Sequence, residues 1–181
     1  MLQKTCLVLA ILATLVLHPS LRAQSSDNSL SNAEIEQLRD SAYVPRDRVL
    51  VFIKFLDARS DAIQTLFAHP RRPGREQDTH DLLEQFTSIA NELEDNLDDY
   101  STRHSDIRKS LPKLLEATDR WSSALKTPPD NEAYNVSRKL ALESIRDLRQ
   151  DTTELIESQK TWFAAHPPAK EDKNGPIDIR R

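Results

Sequence analysis

The stretch NELEDNLDDYSTRHSDIRK, residues 91–109, lies at the centre of the chain and decides the fold. Apolar side chains recur three and four residues apart before and after it, a spacing typical of one face of an α-helix. The two stripes are Leu82, Phe86, Ile89, Leu93, Asn96 and Tyr100, then Ile107, Leu111, Leu114, Thr118, Trp121 and Leu125. The region from Asp81 to Leu125 therefore predicts two amphipathic helices joined as a hairpin.

Similar stripes flank this hairpin on both sides. Only two of the 181 residues are glycine, Gly74 and Gly175, so the chain has few residues suited to the turns of a sheet. Prolines interrupt the stripes near residues 70–73 and 128–129, where helices must end. We predict an all-α fold: an up-down antiparallel bundle of four main helices, with a short N-terminal helix and a long C-terminal helix.

Capping residues and prolines indicate where the helices begin and end. Ser31 or Asn32 can cap the short helix, and Glu34 completes a capping box if Ser31 is the cap. Pro45 suits the first turn of the next helix. The main helices are expected at 45–68, 76–101, 106–125 and from a cap at 130 or 131 to about 165. Pro112 leaves two alternatives for the third of these, a kink or a start nearer Leu111.

The first 23 residues have the features of a secretory signal peptide. Lys4 precedes an apolar run at 7–17, which is too short to span a bilayer, and Ala23 offers a small residue for cleavage. The alternative is an uncleaved interfacial anchor. We expect an exported protein, periplasmic or secreted, without stable membrane insertion after cleavage. Its parts would be a signal peptide at 1–23, a flexible leader at 24–30, a bundle domain at 31–166 and a disordered polar tail at 167–181.

Composition narrows the classes of function. The only cysteine, Cys6, lies in the expected signal peptide, so the cleaved chain would have no thiol chemistry. The formal net charge is −4 and becomes −6 without Lys4 and Arg22, which disfavours nucleic acid as a partner. Motifs for nucleophilic catalysis, zinc proteases and di-iron carboxylate sites do not occur. The sequence therefore predicts no cofactor and no enzymatic activity.

Carboxylates crowd the end of the helix that closes at residue 101. Asp95, Asp98 and Asp99, with His104 across the turn, are the candidate ligands for a cation. The alternative is ion pairing with neighbouring helices. Counting residues back through antiparallel loops places four arginines at this level: Arg46, Arg48, Arg146 and Arg149. We favour the alternative, in which the acidic group clasps the predicted hairpin electrostatically and holds no metal.

Two polar residues interrupt the apolar stripes. Arg59 lies between Leu56 and Ile63, where a buried guanidinium requires partners. It either pairs with residues 84–88 or 119–123, or lies outside while Ser60 faces the core; binding a ligand is a further alternative. Asn96 occupies a stripe position in the next helix, and both residues are predicted to have structural roles.

Trp162 and Phe163 near the end of the last helix are candidates for a partner site. The last helix is long, so the N-terminal helix is expected to cover its end, with Leu38 and Tyr43 near these two aromatic residues. If they are not covered, they form an apolar patch that another protein, or a second copy of the chain, would bind. The leading hypothesis is a non-enzymatic interaction or structural module, and the alternative is a cation-binding, stress-buffering protein.

Overall fold

The computed structural model describes residues 29–167, and the expected signal peptide and residues 168–181 of the expected tail lie outside this range. These residues form an all-α bundle, which confirms the predicted fold class. The five helices are α1 (Asn32–Asp40), α2 (Pro45–Ala68), α3 (Arg75–Thr102), α4 (Leu111–Leu125) and α5 (Asn135–Ala165). Within 29–167, none of them is apolar over enough length to cross a membrane.

Several predicted helix ends agree with the structure. The capping box at α1 is present: Ser31 Oγ accepts a hydrogen bond from Glu34 N at 3.3 Å, and Glu34 Oε2 accepts one from Ser31 N at 2.8 Å. Pro45 is the first residue of α2. Helix α4 begins at Leu111 and not at residue 106, so the later of the two starts that Pro112 left open is confirmed, because proline fits in a first turn.

The start of α5 was predicted too early. A turn occupies the residues after the expected cap, in which Asn131 Oδ1 accepts a hydrogen bond from Ala133 N at 2.9 Å. Asn135 N and Tyr134 N both bond Asn131 O, and Asn135 is the first residue of α5. The asparagine therefore closes a local turn, a role that competes with capping.

Helices α2 to α5 form a square in which α3 and α4 occupy opposite corners. Helices α3 and α4 each lie beside α2 and α5 but not beside each other, although core side chains of the two meet in the middle. Hydrogen bonds fix the directions. The pairs Ser137–Glu84 and Ser144–Asn91 both join residues 53 apart in sequence, so α3 and α5 run parallel. The predicted hairpin of α3 and α4 is therefore wrong, although successive helices alternate in direction.

The α3–α4 connection crosses the end of the bundle diagonally. His104, at φ 52°, turns the chain, and Ile107 is completely buried. Gln159 of α5 holds the crossing segment, because its Oε1 accepts from Ile107 N at 3.2 Å and its Nε2 donates to Ser105 O at 2.9 Å. A buried amide that satisfies two backbone groups fixes this loop to the last helix.

The middle of the square is filled by side chains from the diagonal helices. Phe86 of α3 meets Trp121 of α4 edge to face, with ring centroids 5.6 Å apart. Trp121 is fully buried, and its Nε1 donates to Asp57 Oδ1 at 2.7 Å. Aromatic pairs of this geometry add to the stability that burial provides.

The N-terminal part of the described chain lies against α2 and not against the end of α5. Helix α1 packs on α2 alone. Leu38 is buried there, whereas Tyr43 is 93% exposed, so the expectation that these residues cover Trp162 and Phe163 was wrong. Leu30 is buried and Ser29 accepts a hydrogen bond from Arg59, so these two residues of the expected flexible leader are packed against the bundle, and residues 24–28 lie outside the described range. Helix α1 has only nine residues and is too short to reach past α2 to α5, which lies at the opposite corner of the square.

Candidate functional site

A cavity of about 510 Å³ lies at the end of the bundle where α3 and α5 both terminate. We call it the end cavity. Its walls come from the last turn of α3, the start of the crossing loop and the final turns of α5. The lining residues are Ser101, His104, Glu157, Ser158, Gln159, Thr161, Trp162 and Phe163. Its size falls in the range of small-molecule and side-chain binding clefts.

Trp162 is held between two imidazole rings. His104 stacks on it with centroids 3.6 Å apart and an interplanar angle of 12°, and His166 stacks with centroids 3.8 Å apart. His166 Nδ1 also donates to the carbonyl oxygen of Trp162 at 3.1 Å. The two stacks and the hydrogen bond fix the indole before any ligand arrives, which lowers the ordering cost of binding.

Phe163 is covered by the crossing loop. The Arg108 guanidinium lies over its ring, 4.2 Å from the centroid. Asp106 pairs with Arg108 at 2.8 Å, and this hydrogen bond holds the pKa of Asp106 below its ordinary value. Trp162 and Phe163 are both half-buried. The predicted partner patch is therefore shielded in part by residues 104–108, and its remaining surface belongs to the cavity.

The four candidate cation ligands do not converge. His104 stacks on Trp162, and Asp99 pairs with Arg103 at 2.8 Å on its own helix. Asp98 faces α5, and Asp95 is exposed. Within residues 29–167, no three side chains of metal-binding type are grouped to hold a metal ion. Of the four arginines proposed as a clasp, only Arg48 pairs with a carboxylate near this group, Glu92 of the same helix, at 3.8 Å.

The other three arginines have partners elsewhere. Arg46 bonds Asp47, Arg146 bonds Asp147, and Arg149 bonds Asp119. The residue count placed Arg149 at the right height in the bundle but on the wrong side. Arg149 faces α4, where it pairs with Asp119, and not the carboxylates at the end of α3. The electrostatic clasp is therefore wrong as a description of the α3–α4 stretch.

Five carboxylates line the contact between the parallel helices α3 and α5. We call this group the acidic seam: Glu94 and Asp98 of α3, with Asp147, Asp151 and Glu154 of α5. Burial raises the pKa of Glu94, and the carboxylates of Asp151, Asp147 and Asp98 raise it further. Burial also raises the pKa of Asp151, with added repulsion from Asp98 and Glu154. Among residues 29–167, only Asp147 of this group takes part in an ion pair, with Arg146.

The acidic seam was not predicted from the sequence. Its members on α3 lie 49 to 60 residues from those on α5, and they meet only because the crossing loop places α5 beside α3 in the same direction. One signal was present in the sequence. The spacings 94–98 and 147–151–154 repeat at helical intervals, so each helix alone has an acidic stripe.

Arg59 and Asn96 make structural contacts. The Arg59 side chain is 12% exposed and forms a two-point ion pair with Glu34 of α1, with Nη2 2.9 Å from Oε2. It also donates to Gln85 and to Ser29 O. Asn96 Oδ1 accepts from Arg48 Nε at 2.9 Å, which joins α2 to α3. Ser60 is buried, but Arg59 does not lie outside, so the alternative with an exposed Arg59 was wrong. The expected contact with residues 84–88 is present through Gln85, whereas the charged partner, Glu34, was not among the expected residues.

Comparison with protein-family models, with curated proteins and with solved structures finds no match to this chain.

Proposed function

We propose that this protein is a non-enzymatic binding module that holds a segment of another protein in the end cavity. The supporting observation is the aromatic wall of that cavity, where Trp162 is fixed between His104 and His166 beside an opening of about 510 Å³. Large, rigid aromatic residues are frequent among the residues that dominate protein interfaces. The expected export places the module in the cell envelope or outside the cell.

The binding chemistry follows from the lining. The indole and phenyl rings offer apolar surface to an inserted side chain. The hydroxyls of Ser101, Ser158 and Thr161 stand around them and can bond the backbone of a bound segment. Because the rings are positioned by the bundle and by the crossing loop, binding requires little rearrangement of the protein.

The alternative, cation binding, has less support. Its four candidate ligands are separated, as described above, and no other observation in residues 29–167 favours it. The binding module therefore remains the proposal that the geometry supports best.

Substitution of Ser158 tests the proposal. In Ser158→Phe, a phenyl ring would fill part of the cavity, and we expect the protein to lose at least about 90% of a captured partner, or roughly tenfold in affinity. Ser123→Phe is the matched control, because Ser123 is also an exposed helical serine that bonds a preceding carbonyl, but on α4. Capture from envelope extracts with tagged wild type and both variants, quantified by mass spectrometry, measures the difference.

A partner that both variants retain equally would contradict the proposal. So would the absence of any captured protein. Sedimentation analysis of the same three proteins shows whether the captured species is a second copy of the chain, which would also count against a separate partner.

A further inference from the structure

Charges of both signs lie around the end cavity, since the Arg108 guanidinium lies over Phe163 and Lys160 pairs with Glu157. Helices α3 and α5 run parallel, and they end at Thr102 and Ala165, so both C-terminal ends lie beside the cavity. Unpaired carbonyl groups give each helix end a partial negative charge. Glu157 adds a carboxylate to the lining, and Lys160 pairs with it at 3.8 Å. The cavity itself is therefore mixed in charge.

The acidic seam leads into the cavity. On α3, Ser101 lines the cavity and lies seven residues after Glu94 and three after Asp98. On α5, Ser158 also lines the cavity and lies seven residues after Asp151 and four after Glu154. These steps keep the residues on one helical face, and Asp151 lies about 10 Å from Ser158 along the axis. The carboxylates of the acidic seam therefore share the helical faces of the two serines that line the cavity.

The seam is short of positive charge. Glu94, Asp98 and Asp151 do not appear in any ion pair among residues 29–167, although arginines elsewhere in the bundle are paired. Burial raises the pKa values of Glu94 and Asp151, and repulsion by neighbouring carboxylates raises them further. A hydrogen bond between the two side chains raises the pKa of Glu94 and lowers that of Asp151. A cationic partner would relieve this repulsion, whereas a second copy of this acidic chain would increase it.

We propose that the segment bound in the end cavity is a basic one, with an apolar side chain against Trp162 and Phe163 and lysine or arginine side chains along the acidic seam. This inference rests on the proposed function and specifies the partner chemistry of the same site. The apolar anchor supplies burial, and the basic residues supply orientation and rapid association.

Binding of synthetic peptides to the full chain, measured by fluorescence anisotropy, tests the inference. The probe is a labelled peptide with a Leu-Phe pair followed by six lysines. One control peptide has glutamates for the lysines, and another has Gly-Gly for Leu-Phe. We expect only the probe to bind well, with an affinity that falls as salt is raised.

Variants locate the binding. Glu94→Gln with Asp151→Asn should weaken the probe about tenfold, because two seam charges are lost. Asp61→Asn with Glu132→Gln changes the net charge equally at exposed positions away from the seam, and it should leave the affinity within about twofold. Ser158→Phe should weaken the probe about tenfold by filling the anchor position.

Several results would overturn the inference: no binding of the probe, equal effects of the two double variants, or equal binding of the glutamate peptide. Binding only to a variant that ends at Pro167 would also overturn it, because residues 168–181 would then be the occupant. If the probe fails while Ser158→Phe still loses its captured partner, the proposed function stands and the basic chemistry is wrong. If the probe binds at the seam but capture is unaffected by Ser158→Phe, the proposed function is the part that fails.

Discussion

At the residue scale, the ion pair of Arg59 and Glu34 connects the short N-terminal helix to the bundle. Both side chains are largely covered, at 12% and 14% exposure. The hydrogen bonds from Arg59 lower the pKa of Glu34 to about 2, well below its ordinary value of about 4.3. A carboxylate whose pKa is lowered by folding contributes stability above its unfolded pKa, and that contribution is lost as the pH falls toward the folded value.

Glu34→Gln removes the charge of this pair, while glutamine still fits a capping box. We expect a loss of roughly 1.5–3 kcal/mol in the free energy of unfolding at pH 7, the range for hydrogen bonds to charged groups. The difference from wild type should shrink below pH 4.3 and vanish near pH 2. Denaturant unfolding at a series of pH values measures it.

The matched control is Glu36→Gln on the same helix. Glu36 pairs with Arg39 at 2.7 Å, but both side chains are more than half exposed. Such pairs contribute about 0.3–0.5 kcal/mol, so the control should change little at any pH. Equal effects of the two substitutions would show that Arg59 does not hold α1.

At the scale of elements, the acidic seam opposes the packing of α3 on α5. Two helices of the same direction bring their acidic stripes side by side, and the carboxylates repel each other. Surfaces kept for binding a partner are often less stable than the rest of the protein. The seam is therefore expected to lower stability at neutral pH.

Glu94→Gln should raise the stability of the free protein at pH 7. Removal of one like-charge contact is worth roughly 0.5 kcal/mol, or about 1–2 °C in Tm for a domain of this size. Because the pKa of Glu94 is raised by folding, the native state takes up the proton first as the pH falls. The advantage of the variant should therefore decrease on acidification and disappear well below pH 4.

Thermal unfolding of wild type and Glu94→Gln at pH 7, 5 and 3 measures this effect. Asp61→Asn, at an exposed position of α2, is the control for a general change in net charge. A lower Tm for Glu94→Gln at pH 7 would mean that Glu94 has a cationic partner in the folded protein.

At the scale of the whole molecule, the diagonal position of α3 and α4 distinguishes this bundle from one built of consecutive hairpins. Both arrangements alternate the helix direction, and both bury the same stripes. They differ in which faces meet. In the observed arrangement α3 lies beside α5, and the crossing loop reaches over the end of the core.

Paired cysteines test this arrangement, because the described residues contain no cysteine that would interfere. Asn91→Cys with Ser144→Cys replaces two side chains that bond across α3 and α5 at 3.2 Å. A short bismaleimide should link this pair in high yield. Because Phe86 meets Trp121, Glu116 of α4 lies at the level of Asn91, and a hairpin of α3 and α4 would place these two residues together. Asn91→Cys with Glu116→Cys should link poorly. Comparable yields, read by gel mobility after proteolysis, would contradict the square.

The positions of the helices along the chain and the choice of neighbouring helices have different physical origins. Helical periodicity, caps and prolines act over a few residues, so the sequence alone determined the all-α class, the capping box at Ser31, the extent of α2 and the stripe positions that are buried, such as Phe86 and Trp121. Which helices become neighbours depends on how the whole core closes, and both possible squares satisfy the same stripes. Only the tertiary structure therefore decided that α5 lies beside α3, that Glu34 is the partner of Arg59, and that the crossing loop, rather than α1, builds the cavity around Trp162.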